Sequence, residues 1–308
     1  MSAHSLATST ITALVVPEVD ECAAERAIIR ICDDVPDWSL YAWSNPTRVV
    51  YGPVSSRRLG MSLGINLFPQ GKVCSFRCAY CDLDMAQENE QRARLVPTQQ
   101  IITRIAADLP RYGVAERHPV DSITFAGNGE PTIHPGFSNV VEVVAQLRDE
   151  WLPDTPMNLF TDGMHLVNPA VRAATARFRR VFLKLDGAHE AVVERINGPG
   201  AWRGTLRAVA IGRQLPNVAA STALVAGPDA NTADVKSRRF VEIIRELRPR
   251  ELYLYTLDYP SPAVSIAAVD FDTLVEHAEW LARRVDCRVI ALWRRHRHPT
   301  ALHQDTHE

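Results

Sequence analysis

Three of the six cysteines in this 308-residue chain fall close together, at Cys74, Cys78 and Cys81. Their spacing, Cys-x3-Cys-x2-Cys, also fits one face of a helix, where they would form a small apolar stripe. However, the segment follows a predicted strand and a stretch with Pro69 and Gly71 that is typical of a loop. We therefore favour a metal site, because clustered thiols in a reducing compartment usually bind metal.

The number of cysteines limits which metal this loop can hold. Structural zinc takes four tetrahedral ligands, and the nearest downstream candidate, His118, is too remote for a zinc knuckle. A [4Fe–4S] cluster is normally held by four thiolates, so three thiolates leave one iron without a protein ligand. An open iron is a defect for electron transfer but a coordination site for catalysis.

A second segment with chemical potential follows a predicted strand at Ser122–Ala126. Its glycines allow the backbone to approach a ligand closely, and its glutamate supplies a carboxylate that can pair with an ammonium group. Taken alone, the segment is equally typical of a strand-to-helix turn. It consists of Gly127, Asn128, Gly129, Glu130 and Pro131.

Together these segments resemble the radical S-adenosylmethionine (SAM) superfamily. The resemblance implies one [4Fe–4S] cluster on the three cysteines, with the open iron chelating the amino and carboxylate groups of SAM. The reduced cluster then donates an electron to the sulfonium and releases methionine and a 5′-deoxyadenosyl radical. It also implies that the glycine segment binds the SAM ammonium, that the backbone at Tyr80 meets the adenine, and that flavodoxin or ferredoxin supplies electrons. Asn128 departs from the family pattern, which most often has a second glycine there.

A longer resemblance, from Tyr51 to about Tyr255, indicates the wyosine-synthase-like subgroup. Its first block contains Arg57 and Arg58, which we predict to bind a substrate carboxylate or phosphate at the barrel mouth. The alternative is that one or both brace the N-terminal extension through carbonyl groups. The subgroup commonly ends its sixth strand with Asn-Thr-Pro-x-Arg-Pro. This chain has Tyr-Thr-Leu-Asp-Tyr-Pro at 255–260 and lacks the arginine, which suggests an altered substrate pocket.

From about Ser62 the sequence alternates β-rich runs with amphipathic helical patterns, which predicts a parallel α/β sheet or barrel. With the resemblance, we expect a partial (β/α)6 radical SAM barrel at 51–260, after an N-terminal extension at 1–50 and before a C-terminal helix, strand and tail at 261–308. The predicted barrel strands are Ser62–Leu67, Ser122–Ala126, Met157–Thr161, Val181–Leu185, Ala219–Val225 and Glu251–Thr256. The predicted barrel helices are Thr98–Leu109, Phe137–Trp151, Pro169–Arg177, Ala188–Arg195, Thr205–Leu215 and Ala233–Leu247. The flanking predictions are β segments at Ile11–Val16, Ser39–Trp43 and Arg48–Tyr51, a helix at Ala23–Ile31, a helix at Phe271–Val285 and a strand at Arg288–Leu292.

Polar side chains recur where the predicted strands end, which is where ligand sites gather in parallel α/β folds. Lys184 and Asp186 alternate with Phe182 in a way that places all three on one side. Tyr255 and Tyr259 are candidate catalytic hydrogen donors or acceptors. The candidates for cofactor binding at strand ends are Thr161, Asp162, Lys184, Asp186, Ser221, Leu224 and Tyr253. For each, a capped or ion-paired turn residue is the structural alternative.

Composition excludes some functions and leaves others open. The net charge of −2 disfavours a protein that holds nucleic acid mainly through its phosphates. No apolar run reaches the ~18 residues of a membrane span and no signal peptide pattern is present, so we expect a cytoplasmic protein without a membrane partner.

The leading hypothesis is a biosynthetic oxidoreductase or lyase that acts on a small nucleoside, sugar or amino acid. The alternatives are a wyosine-type enzyme that modifies transfer RNA, favoured by the basic stretch at 294–297, and a non-catalytic iron–sulfur protein. True wyosine synthases hold a second cluster with N-terminal cysteines and a lysine. Here Cys22 and Cys32 would need remote Cys287 as a third ligand, and buried free thiols are the simpler interpretation.

Overall fold

The computed structural model describes residues 11–14, 27–33, 47–81, 83, 95–114, 119–258, 261 and 263–295. The strands are β1 Ile11–Leu14, β2 Ala27–Asp33, β3 Val50–Ser56, β4 Gly60–Ile65, β5 Ser122–Phe125, β6 Met157–Thr161, β7 Arg180–Lys184, β8 Val218–Ala223, β9 Val225–Ala226, β10 Glu251–Tyr255, β11 Ala267–Ala268 and β12 Arg288–Arg295. The α-helices are α1 Thr98–Asp108, α2 Pro110–Val114, α3 Phe137–Trp151, α4 Pro169–Ala174, α5 Glu190–Asn197, α6 Ala201–Gly212, α7 Thr232–Val235, α8 Arg238–Leu247 and α9 Phe271–Ala282. None of these helices is long and apolar enough to cross a bilayer.

Ten of the described strands form one sheet in the order β1-β2-β12-β10-β8-β7-β6-β5-β4-β3. The eight strands from β2 to β4 in this order are parallel, and β1 and β3 add antiparallel edges. Parallel neighbours need long crossovers, which the helices supply. All eight parallel strands therefore end at the same edge of the sheet, as the predicted partial α/β barrel requires. The division of the chain at residues 50 and 260 stays a prediction.

The alternation of side chains along each strand builds two cores. One face of the sheet packs against the helices, with Val181, Leu183, Leu252 and Leu254 in the main hydrophobic cluster. The opposite, inner face carries a smaller cluster that includes Phe182 and Tyr253. The period of two along a strand thus sends Lys184 and Tyr255 to the same inner side as these aromatic residues.

Local patterns predicted most elements well. The Met157–Thr161 strand and the Phe137–Trp151 helix have the predicted bounds, and the other barrel strands are displaced by only one or two residues. The Thr205–Leu215 helix instead begins at Ala201, directly after Gly200 in the left-handed conformation. The predicted segment Ser39–Trp43 lies outside the described residues.

The helix predicted at Ala23–Ile31 is wrong over its described part, because Ala27–Asp33 is a strand. It pairs in parallel with β12, so that Val289 lies opposite Ala27 and Arg294 opposite Cys32. The isoleucines explain the difference: Ile29 and Ile31 are buried, and β-branched side chains fit a pleated surface. The partner strand lies at the other end of the sequence, so no local pattern could reveal the pairing.

Candidate active site

A cavity of about 170 Å³ lies at the carboxyl ends of the central strands. Three of its lining residues, Thr161, Lys184 and Tyr255, are the last residues of β6, β7 and β10. The cavity therefore occupies the edge where parallel strands place ligands. The predicted site residues that line it are Arg58, Cys74, Cys78, Gly129, Glu130, Thr161, Asp162, Lys184, Ser221 and Tyr255.

The two loops with the sequence motifs are held together by a short backbone bridge. The amide of Val73 donates to the carbonyl of Asn128 at 3.0 Å, and the amide of Glu130 donates to the carbonyl of Val73 at 2.9 Å. Gly129, at φ +122°, makes this approach feasible, since an added Cβ would lie 1.9 Å from the Val73 carbonyl oxygen. The glycine therefore serves close packing against the cysteine loop.

The end of α5 fixes the other side of the cysteine loop. The amides of Arg77 and Ala79 donate to the carbonyls of Asn197 and Ile196, each at 2.8 Å. The Asn197 side chain also donates to Cys78 Sγ at 3.2 Å. Sequence reasoning missed Asn197, although Asn-Gly after a helical pattern signals a helix end, because nothing local connects that end to a cysteine.

The three motif cysteines differ in exposure: Cys74 is exposed, whereas Cys78 and Cys81 are half-buried. Burial raises the pKa of Cys78 to about 11. A thiol must lose its proton when it binds iron. Cys81 continues the same loop, and its amide donates to the Cys78 carbonyl at 3.0 Å.

Among the described residues, no three His, Cys, Asp or Glu side chains, the motif cysteines included, are arranged around a single metal ion. Cys32 and Cys287 lie at opposite ends of β12, since Cys32 is opposite Arg294 whereas Cys287 precedes Arg288. Six residues of strand separate these ends by about 20 Å, too far for both thiols to hold one cluster. Cys22 is outside the described residues.

Glu130 is buried, and its carboxylate accepts hydrogen bonds from four donor groups. Its Oε1 atom accepts hydrogen bonds from the Thr132 hydroxyl, from the Thr132 amide at 3.0 Å and from the Thr161 hydroxyl at 2.8 Å. Its Oε2 atom accepts from the Asp162 amide at 2.6 Å. These bonds fix the carboxylate at the cavity wall between β5 and β6, as a pre-oriented acceptor.

Asp162 places a second carboxyl group on the same wall. Burial, and next the negative charge of Glu130, raise the pKa of Asp162 well above its usual range. An ammonium group in the cavity would relieve this repulsion and favour the ionised form of Asp162. These carboxyl oxygens, which accept hydrogen bonds, thus fit the cationic amino group of SAM.

Asp186 is a fully buried carboxylate that joins the cysteine loop to the strand ends. It accepts hydrogen bonds from the Tyr80 hydroxyl at 2.5 Å, from Asn197 at 2.7 Å and from the Ala223 amide at 2.8 Å. Its Oδ1 atom lies 3.3 Å from Lys184 Nζ. Asp186 therefore holds the side chains of Tyr80, Asn197 and Lys184 in position beside the cavity.

Lys184 brings a positive charge to the cavity. Its ammonium lies 4.6 Å from the Tyr80 ring centroid and 4.7 Å from that of Tyr255, and it donates to the Tyr255 hydroxyl. Burial acts to lower the pKa of Lys184, but attraction to Asp186 and to Tyr255 outweighs it, so the net shift is upward. Lys184 is thus a cation and hydrogen-bond donor at neutral pH.

The adjacent arginines have different surroundings. Arg57 donates to the Thr256 carbonyl at 3.1 and 3.0 Å and pairs with Asp258 at 2.9 Å. Arg57 thus braces the segment that follows β10, and not the N-terminal extension that the bracing alternative named. Arg58 instead lies with its guanidinium 4.1 Å from the Tyr255 ring centroid and 5.2 Å from that of Phe160, at the cavity wall.

Several predicted residues lie away from the cavity lining. Tyr253 is buried deeper, with its hydroxyl donating to Glu251 at 2.9 Å. Leu224 is buried, and its amide donates to the Tyr255 carbonyl at 2.7 Å. Asn128 bonds the Phe68 carbonyl at 2.9 Å. The remaining such residues are Tyr80, Cys81, Gly127, Pro131 and Asp186, and Tyr259 lies outside the described residues.

Comparison with known proteins places this geometry in a family context. The family model described as Radical SAM superfamily matches residues 69–241. A UPF0026 protein of Helicobacter pylori is 31% identical over 158 residues, which cover 51% of this chain and 48% of that protein. A GTP 3′,8-cyclase of Streptomyces coelicolor is 27% identical over 141 residues, covering 46% of this chain and 38% of that enzyme. The chain thus spans about half, or less, of the length of these two relatives.

A solved structure of TYW1 with a lysine–pyruvate adduct superposes with a TM-score of 0.54 at 15% identity, covering 73% of this chain and 74% of that one. At this identity the likeness shows a shared fold.

Proposed function

Because this chain belongs to the radical SAM superfamily, whose members use a [4Fe–4S] cluster and SAM, we propose that it cleaves SAM reductively to abstract hydrogen from a small molecule. When bound, the cluster supplies the electron and SAM supplies the 5′-deoxyadenosyl radical. A small nucleoside, sugar or amino acid is the substrate class, and the product enters biosynthesis. The observation that carries the proposal is one cavity lined by two motif cysteines, the Glu130–Asp162 pair and the strand-end cation Lys184.

Each wall of the cavity has a separate task in this proposal. Cys74, Cys78 and Cys81 bind the cluster. Glu130 and Asp162 receive the amino group of SAM, because the fixed carboxylate and its neighbour favour a cation. Lys184 and Tyr255 line the same cavity and supply a cation and a hydroxyl group.

The size of the accessible space supports a small substrate. Arg58 and Phe160 line both the cavity and an inner chamber of about 260 Å³ between the first strands. The volume of the inner chamber is below the usual range for drug-sized ligands. The Streptomyces coelicolor relative is named for GTP, a small molecule, which also supports this class.

The first experiment is anaerobic reconstitution with iron and sulfide, followed by dithionite and SAM. We expect about four irons per chain and formation of 5′-deoxyadenosine, measured by chromatography. A variant with alanine at Cys74, Cys78 and Cys81 is the matched control for adventitious iron. Iron binding without 5′-deoxyadenosine would contradict the proposal and favour a non-catalytic iron–sulfur protein.

The substrate class is tested by adding fractions of one cell extract to the reconstituted enzyme. We expect the small-molecule fraction to accelerate 5′-deoxyadenosine formation and the purified transfer-RNA fraction to leave the rate unchanged. Acceleration by the RNA fraction alone would replace the small-molecule proposal with RNA modification. Steep salt dependence of that effect would identify phosphate contacts.

A further inference from the structure

The guanidinium of Arg58 is the least satisfied cation beside the cavity. Its Nε and Nη2 atoms are shielded from solvent and have no hydrogen-bond acceptor in the described part of the chain. Its described side-chain contacts are to the faces of Tyr255 and Phe160. Leaving charged donors buried without acceptors costs free energy, so an acceptor beyond those that the described residues supply is expected.

Two other arginines of this protein show what the Nε and Nη2 atoms of a guanidinium bind. Arg180 uses Nε and Nη2 to hold both oxygens of Glu251, at 2.6 and 3.2 Å. Arg177 holds Glu142 in the same way, at 3.0 and 2.8 Å. A planar guanidinium matches the paired oxygens of a carboxylate or phosphate. The corresponding edge of Arg58 lacks such a partner among the described residues.

The surroundings of Arg58 favour an anion. Three arginines, Arg57, Arg58 and Arg294, line the inner chamber together with one acid, Asp258. Asp258 is already shared by two of them, at 2.9 Å from Arg57 and 3.3 Å from Arg294. The charged groups described in the lining therefore carry a net positive charge, and Arg58 has no part in this network.

We propose that the inner chamber binds a carboxylate or phosphate group of the substrate through the guanidinium of Arg58. This inference rests on the proposed function and narrows its substrate class to small anions. The rest of the substrate extends past Phe160, which lines both spaces, toward the cavity that contains Cys74 and Cys78. Arg57 is a positioning residue that fixes the chamber wall through Asp258 and the Thr256 carbonyl.

The test compares Arg58→Met with Arg57→Met in the reconstituted, full-length protein. Thermal unfolding is followed anaerobically with inorganic phosphate, with acetate, or with chloride at equal ionic strength. We expect phosphate or acetate to raise the melting temperature of the native protein by a few degrees and to leave that of Arg58→Met unchanged. In chloride, Arg58→Met should melt at the same or a higher temperature, since an uncompensated cation is removed.

Arg57→Met should melt at a lower temperature, because it leaves Asp258 with one partner fewer, and should keep the anion-dependent rise. Arg58→Lys retains the charge without the planar edge and should show a smaller rise. A response to phosphate alone assigns a phosphate group, and a response to acetate alone assigns a carboxylate.

Equal stabilisation of the native protein and Arg58→Met, or none of either, would overturn the inference. A loss of stability in Arg58→Met as large as that in Arg57→Met would also overturn it, by showing a structural role. The readout does not need SAM cleavage, so a failed anion response leaves the radical SAM proposal standing. Conversely, absence of 5′-deoxyadenosine leaves the anion site standing.

Discussion

The two ends of the parallel strands contain charged groups in different arrangements. At the amino ends, Arg180, Glu251 and Arg288 are the first residues of β7, β10 and β12 and form one network. Glu251 receives Arg180 at 2.6 Å, Arg288 at 2.7 Å and the Tyr253 hydroxyl at 2.9 Å. Opposite charges there satisfy one another within the chain.

At the carboxyl ends the charges surround open space. Glu130 and Asp162 repel each other on one wall, and Arg58 lacks an acceptor on another. A chain would be more stable if these charges were paired within it. Their unpaired state therefore indicates that ligands supply the missing partners. The comparison teaches that the pairing of charges within the chain distinguishes the Glu251 network at the amino ends from the cavity at the carboxyl ends.

The largest expected effect is the loss of the cluster ligands. Replacing any one of Cys74, Cys78 and Cys81 with alanine should abolish the cluster absorbance and the cleavage of SAM, because two thiolates cannot hold the cube. Iron content and 5′-deoxyadenosine are measured after reconstitution. Cys287→Ala, directly before β12, is the matched control. It should retain both the cluster absorbance and the cleavage of SAM. An intact cluster in a motif variant would refute the assignment.

The next effect concerns the SAM wall. Glu130→Gln should weaken SAM binding by about tenfold or more, since it removes a charge that an ammonium would pair with. Iron content should stay unchanged, and the dissociation constant is measured by calorimetry on the reconstituted protein. Glu142→Gln, which breaks an exposed pair with Arg177, is the control. Equal SAM affinity in Glu130→Gln would remove this residue from the binding site.

At the amino ends, Glu251→Gln should lower the free energy of unfolding by about 3 kcal/mol, because two arginines lose a buried partner. The effect is at the lower part of the range for buried pairs, since both arginines are partly exposed. Chemical denaturation gives the free energy, and SAM affinity is measured in parallel. Weaker SAM binding without loss of stability would break the proposed division between the two ends.

The sequence predicted the residues that carry chemical groups better than the long-range contacts that position them. Cys74, Cys78, Glu130 and several strand-end residues were predicted from local motifs, and they line one cavity. The barrel strands followed from alternation. The strand Ala27–Asp33 was predicted as a helix because its partner, β12, is remote in sequence. The sequence likewise could not separate Arg57 from Arg58, since Asp258 joins only one of them in the folded chain.

Asn197 was likewise not predicted, because its contact with Cys78 is remote in sequence. Its substitution should have a smaller effect. Asn197→Ala removes a hydrogen bond to Cys78 Sγ and should make the cluster potential more negative by tens of millivolts, because such bonds stabilise the reduced form. Redox titration followed by electron paramagnetic resonance measures the shift. Asn217→Ala is the control at the amino ends, where Asn217 bonds the Thr175 and Phe178 carbonyls. Equal potentials in the two variants would show that Asn197 only holds the loop.

The smallest effect is a pH dependence of the amino-end network. Burial acts to raise the pKa of Glu251, but the hydrogen bond from Arg180 outweighs it and the net shift is downward. A lowered pKa in the folded state means that Glu251 stabilises the fold above its unfolded value, about 4.5, and loses this contribution as the pH falls through the folded value. Unfolding free energies of the native protein and Glu251→Gln should therefore differ at neutral pH and converge in acid. A difference that persists in acid would show that shape, and not charge, gives Glu251 its role.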